Sequence, residues 1–298
     1  MRRNPPSKLL PGVTAFLLGV VSAASARPAA NIGQDTRRFA SICLTGDQLL
    51  LQLVPREEIA ALSWLAADPD LSPRWREARS LPAVRGGAEE LLALKPDLVL
   101  AGAYSTPQTK AMLRKLGIPV LEIGIPNDFA DLREQILSVG ASLGVKERAE
   151  AIVRELDGRL VHFSKARESG SPPKALFVFA DGSVPGGGTF PDAVLRAAGF
   201  ENLGAILASK KPGGRERPVA LESILLSRPD LVIFTAYHEG DPTFNGHFAE
   251  RGIWRRLPFR KETVPFRQLA TPDVENLSLV ERLQTVREEL TKPEEKTR

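Results

Sequence analysis

The chain contains two tyrosines, Tyr104 and Tyr237, separated by 133 residues (237 − 104 = 133). The same interval separates Pro96 from Pro229 (229 − 96 = 133) and Glu89 from Glu222 (222 − 89 = 133), and it aligns "LLALKPDLVLAGAY" with "ILLSRPDLVIFTAY". A tyrosine offers flat apolar area with a hydroxyl at its tip, so two related rings facing one cleft suit a flat or bulky guest. Two phenolates also suit ferric iron or haem. A purely structural role, in which each ring covers a strand end, is the alternative. The two glutamates allow a second chemistry: carboxylates matched across a duplication can meet two arginines of a symmetric partner. Stabilising the first turn of a helix is their simpler explanation.

Other chemistry is thinly represented. His162, His238 and His247 are the only histidines, and zinc- or manganese-type sites need several of them with a carboxylate. "YHEGDPTFNGH" is thus read as a polar loop, and no metal site is assigned. The lone Cys43 lies in the apolar run "FASICL" and is expected to be a buried strand cysteine. "VPGGGTF" lacks the Lys-Ser/Thr ending of a phosphate loop and does not match G-x-G-x-x-G. There is no nucleophile elbow, HExxH or paired-carboxylate constellation, so no catalytic residue is assigned; a secreted α/β enzyme is the competing class.

The elements that must position these residues follow from hydrophobic periodicity. Residues 1–26 read as a signal peptide, with basic "MRRNPPSK", apolar "LLPGVTAFLLGVV" and small residues at Ala24 and Ala26, the cleavage site following Ala26. Without them the 40 basic residues fall by three (Arg2, Arg3, Lys8) to 37 against 36 acidic ones, leaving no polybasic nucleic-acid footprint. Strands are expected at "FASICL", "IAALSW", "DLVLAG" and "PVLEIG", alternating with helices "GDQLLLQLV", "AEELLALK" and "PQTKAMLRKLG". The series restarts with strand "KALFVFA", helices "FPDAVLRAAG" and "ALESILLSR", strand "DLVIFTA", helix "HFAERGIWRRL" and strand "ETVPF". Between the two series lie a helix over 128–143 and a longer one over 146–167, with apolar Ala149, Ile152, Val153, Leu156, Leu160 and Phe163 at helical spacing. "TKPEEKTR" reads as a frayed tail.

The fold class is therefore α/β: two Rossmann-like lobes with central parallel sheets joined by one long backbone helix. The expected division is an N-terminal lobe over 27–144, a connecting helix over 145–171 and a C-terminal lobe over 172–298. In "KPDLV" and "RPDLV" the proline ends one helix and opens an apolar strand. Ligands of open α/β sheets sit beyond the carboxyl ends of the strands, which is where both tyrosines fall.

The leader, the two α/β lobes, the long connecting helix and "E-x6-PDLV" in each lobe resemble the periplasmic substrate-binding proteins for vitamin B12 and ferric siderophores. "SICLTGDQLLLQL" is similar to that family's opening strand and helix, and "GGGTFPDAVLRAAGFENLGA" to its second-lobe ligand loop, helix and turn. The resemblance implies a periplasmic solute-binding protein, monomeric in isolation. It would carry a metal chelate, either a ferric siderophore or a cobalamin, with haem as the alternative, to an ABC importer permease dimer and its cytoplasmic ATPase. It implies no cofactor of the protein's own and no nucleic-acid partner. It places Glu89 and Glu222 on two arginines of the permease, with Glu90 as the neighbouring candidate. Expected ligand-lining residues are Trp64, Arg85, Tyr104, Ser105, Gly182, Arg217, Tyr237, His238 and Arg267. The segment "PAVRGG" before the first docking helix is small and basic, unlike the aromatic lining of the family's cobalamin pocket.

Overall fold

A computed structural model describes residues 37–165, 171–179, 181–208, 216–236, 257–271 and 273–292. The signal peptide, residues 247–256 of the helix expected at 247–257, Tyr237, His238 and His247 lie outside the described residues.

The first lobe runs β1 (Phe39–Ser41), α1 (Leu44–Leu53), β2 (Ile59–Ser63), α2 (Trp75–Ala78), β3 (Ala83–Val84), α3 (Ala88–Leu94), β4 (Leu98–Ala101), α4 (Pro107–Lys115) and β5 (Val120–Glu122). Its sheet has the order β3-β2-β1-β4-β5, and every pairing is parallel. Helices α5 (Phe129–Ser142) and α6 (Lys146–Lys165) follow. The second lobe runs β6 (Lys174–Val178), β7 (Ser183–Pro185), α7 (Phe190–Ala197), β8 (Glu201–Asn202), α8 (Gly204–Leu207), β9 (Glu216–Pro218), α9 (Leu221–Leu226), β10 (Leu231–Ala236), β11 (Arg260–Pro265) and α10 (Asn276–Thr291). Its main sheet is β11-β10-β6-β8, also parallel. Strands β8, β6, β10 and β11 thus occupy the places of β2, β1, β4 and β5. The departure from the expected parallel pairing is β7 with β9, an antiparallel pair.

The duplicated "PDLV" has a mechanical role in both lobes. The backbone N–H of Asp97 donates to the Arg38 carbonyl at 2.7 Å, and its carboxylate accepts from the Arg38 N–H at 2.8 Å. Asp230 treats Lys174 in the same way, at 2.8 and 2.7 Å. Each aspartate therefore ties the start of its own strand to the start of the neighbouring parallel strand. The residues before the two prolines, Lys95 (φ 48°) and Arg228 (φ 49°), are the non-glycine residues with positive φ among those described. Proline disfavours right-handed helix in the residue before it, and a left-handed residue closes each helix so that the chain can turn into the strand.

A continuous buried apolar cluster extends from Phe39, Leu50 and Leu62 in the first lobe, through Leu132 and Ile136 of α5 and Leu156 and Phe163 of α6, to Phe177, Leu195 and Leu283 in the second. Two satellite cores lie apart from it. One gathers Ala40, Val84, Leu91 and Val99; the other gathers Leu176, Val178, Ile224 and Val232. Leu91 of α3 and Ile224 of α9 are each fully buried in these satellites, and they are again 133 residues apart (224 − 91 = 133).

Helix α6 buries Ala149, Ile152, Val153, Leu156 and Phe163. At 20 residues it spans about 30 Å. Two expectations need correction. "FASICL" is a strand only to Ser41, because the Ser41 hydroxyl accepts from the Cys43 N–H and Leu44 already begins α1. Residues 276–291 form a further helix beyond the expected elements, with Leu277, Val280, Leu283 and Val286 buried at helical spacing.

Candidate functional site

Parallel pairing places the loops after β1, β2, β4 and β5 at one edge of the first sheet, and those after β6, β10 and β11 at one edge of the second. Contacts show these edges meeting. The Arg267 guanidinium, just after β11, donates to the Pro69 carbonyl in the loop after β2 at 3.2 Å. Phe129, after β5, packs edge-on against Phe190 at the start of α7, with ring centroids 5.0 Å apart. The lobes also touch alongside α6, where Gln52 donates to Asp273 at 3.0 Å and Arg74 pairs with Glu275 at 2.8 Å. The strand ends of the two lobes therefore converge.

Trp64 follows β2 directly and is 54% exposed; Tyr104 lies beyond β4 and is 91% exposed. Both rings are offered to solvent at the carboxyl edge of the first sheet. Ser105 is differently placed: its hydroxyl accepts from the Gly102 N–H at 3.0 Å and donates to the Ile42 carbonyl at 3.5 Å, stapling the loops after β4 and β1 together. Arg85 is exposed and precedes α3. Gly182 is buried in the turn between β6 and β7 with φ +80°, a conformation that explains the glycine. Arg217 lies on β9, opposite Val184.

Beneath Trp64 the structure holds an arrangement the sequence reading missed. Asp47 of α1 is fully buried and accepts hydrogen bonds from the Ser63 N–H at 2.9 Å and the Ser63 hydroxyl at 2.5 Å. Burial pushes its carboxyl up from 3.8 to about 7, against the opposing effect of these bonds. Cys43, expected as a buried strand cysteine, is instead the partly buried residue that precedes α1, and burial, with the Asp47 charge adding to it, pushes its thiol up to about 12, which disfavours the thiolate. A carboxyl raised on folding favours the protonated native state. Its stabilising contribution is complete below about pH 4 and is lost as pH rises through about 7. Asn at this position can still accept from the Ser63 N–H and, with the hydroxyl reversed, donate its amide N–H to the Ser63 oxygen, without the charge. The stability of Asp47→Asn relative to wild type should therefore climb between about pH 4 and pH 7 in urea melts; parallel profiles would refute the assignment.

The second-lobe loop is pinned through "GGGTFPD" and "FEN". Asp192 accepts from the Gly188 N–H at 3.0 Å and from the Asn202 amide at 3.1 Å, and Asn202 in turn accepts from the Gly204 N–H at 2.8 Å. Thr189 caps α7. A cavity of about 390 Å³ opens between this loop and residues 127–130 of the first lobe, with Leu160 of α6 also in its wall. That volume is at the small end for ligand sites. Asn127, Phe129 and Gly188 in its lining were not expected, because nothing in the sequence relates the loop after β5 to the start of α7.

The two helices before the duplicated junctions carry the remaining candidates. Glu89, in the first turn of α3, and Glu222, in the first turn of α9, are both exposed, and neither has an ion-pair partner among the described residues. Glu90 is occupied: its carboxylate accepts from the backbone N–H of Arg85 at 2.9 Å and of Gly87 at 3.4 Å.

Residues 48–264 match the family described as periplasmic binding protein. The chain belongs to that family. Its members are binding proteins. A cobalamin-binding protein of Halobacterium salinarum is 23% identical over 234 residues, which is 77% of this chain; the match spans 62% of that relative's length. A periplasmic haem-binding protein of Pseudomonas aeruginosa has the same fold, with a TM-score of 0.68 and 22% identity over 86% of this chain and 94% of its own. So does the periplasmic vitamin B12-binding protein of Vibrio cholerae, with a TM-score of 0.64 and 18% identity over 86% and 98%. In this periplasmic binding protein, no helix among the described residues is long and apolar enough to cross a membrane.

Proposed function

We propose that this chain is the solute-binding component of an ABC importer. It is exported to the periplasm by the leader at residues 1–26, captures a metal chelate between its lobes, and delivers it to a two-fold permease driven by a cytoplasmic ATPase. The observation that carries the reading is the pairing of two features in one member of the periplasmic binding protein family. The strand ends of the two lobes converge, and matched helices each carry an exposed glutamate with no ion-pair partner among the described residues. Of the neighbouring carboxylates, Glu89 is the docking residue, because Glu90 is committed to the backbone at the start of its helix.

The ligand class is a bulky chelate: cobalamin, haem or a ferric siderophore. The relatives bind the first two by name. Trp64 and Tyr104 supply the flat apolar contacts on the first lobe; on the second, Arg267 is the described candidate, and Tyr237, His238 and Arg217 are further candidates by their place in the sequence. Arg85 meets acidic groups at the rim, while Ser105 and Gly182 shape the loops. A core continuous through α5 and α6 makes lobe opening small. Titration with cobalamin, haemin and ferric siderophores, followed by tryptophan quenching, tests this. Saturable binding of one of them without turnover is expected, and failure of all three would end the proposal. Tyr104→Ala should weaken that binding about tenfold, the loss of one aromatic contact of ~1.4 kcal/mol. An unchanged affinity would remove Tyr104 from the pocket.

A further inference from the structure

The geometry points to Leu226 and Leu92 as apolar anchors of the docking surface, each seated in a hydrophobic recess of the permease dimer beside the basic group that meets Glu222 or Glu89. This rests on the docking role assigned to those two glutamates.

Leu226 is 83% exposed, more than any other aliphatic side chain among the described residues, and Leu92 is 45% exposed. Single exposed leucines are ordinary on protein surfaces. These two are set apart by their location. Leu226 follows Glu222 by four residues on α9, and Leu92 follows Glu89 by three on α3, spacings that put each leucine on the same helix face as its glutamate. Both helices are short and held from beneath by a fully buried side chain, Leu91 or Ile224, in a satellite core of their own. Each half therefore presents one carboxylate and one protruding leucine on an anchored turn, although the 133-residue interval that pairs the glutamates pairs Leu92 with the half-buried Leu225 and places Leu226 one residue further on.

Apolar contact next to an ion pair excludes water and strengthens the pair, which is how the centre of an interface differs from its rim. The charge on this surface selects the occupant. A second copy docking through the same faces would set carboxylate against carboxylate, whereas a two-fold permease with basic groups beside apolar recesses complements both halves. Burying a leucine in such a recess strengthens binding by about tenfold or more. Leu226, the more exposed of the two, carries the larger share.

The test uses the protein purified from the periplasm and its permease–ATPase complex in nanodiscs, with dissociation constants from biolayer interferometry. Leu226→Gln should weaken docking about tenfold or more and Leu92→Gln by a smaller factor. Val161→Gln, at an exposed position on α6, should change nothing. Chelate affinity and thermal midpoint should be the same in all three. If both leucine variants dock like wild type while Glu89→Gln/Glu222→Gln docks weakly, the anchors are refuted and the docking glutamates stand. If the glutamate variant also docks like wild type, the docking surface itself is refuted. A concentration-dependent dimer in sedimentation, abolished by Leu226→Gln, would assign the leucine to self-association and overturn the proposal.

Discussion

Cells carrying Glu89→Lys/Glu222→Lys are expected to take up no chelate, although the purified variant binds it as tightly as wild type. Both carboxylates are exposed and without ion-pair partners among the described residues, so folding loses little when they change; surface substitutions of this kind stay within about 0.5 kcal/mol. Docking is affected far more. Each reversal replaces an attraction to a basic group with a like-charge contact costing several kcal/mol, and two such contacts on one rigid body act together. A loss of at least a thousandfold in permease affinity follows from about 4 kcal/mol in total. The two helices sit on satellite cores apart from the main one, and neither glutamate is among the expected ligand-lining residues, so chelate affinity from tryptophan quenching should stay within twofold. Loss of chelate binding in the double variant would show that the glutamates are structural. Normal uptake would show that they are not the docking groups.

The second large effect concerns the frame that holds the lobes. Gly140 of α5 faces Ala149 of α6 so closely that a methyl group added at 140 would lie 2.3 Å from the Ala149 methyl. Ala149 is fully buried, and neither helix has room to withdraw without opening the core around Leu132, Ile136, Leu156 and Phe163. Gly140→Ala gains about 1 kcal/mol of helix propensity. Overpacking two helices costs about 1–3 kcal/mol and sometimes more, and the severity of this contact puts it at the upper end. The expected outcome is a net destabilisation of about 2 kcal/mol in chemical denaturation. Ala149→Gly in the Gly140→Ala background should restore part of it by moving the methyl from one helix to the other. Destabilisation that the second substitution leaves unchanged would mean that the glycine is needed for another reason.

Legibility in the sequence differed between kinds of feature. The rod was readable because Ala149, Ile152, Val153, Leu156 and Phe163 recur at the helical period, which depends on neighbours along the chain alone. The strands at 98–101 and 231–236 were readable because a parallel strand covered on both faces is apolar at successive positions. The helix at 276–291 shows the same kind of periodicity, with Leu277, Val280, Leu283 and Val286 buried, but charged residues interleave it and the reading passed over it. Strands β3 and β8, two residues each, are too short for any period to register.

What the sequence determined by itself was a duplicated α/β design with glutamate, proline and aspartate at a fixed interval, because those residues act on their own helix end or their own strand. The contacts made by the same residues at long range were settled only in three dimensions. No local pattern says that Asp97 and Asp230 would bind the strand next door, that buried Asp47 would hold Ser63 beneath Trp64, or that Phe129 would meet Phe190. Those contacts join segments from 16 to 61 residues apart, and which segments become neighbours is decided by how the sheets and helices pack. The occupation of Glu90 is of the same kind: the 133-residue interval pairs Glu89 with Glu222, but only the path of the chain before α3 brings the Arg85 and Gly87 N–H groups to the Glu90 carboxylate.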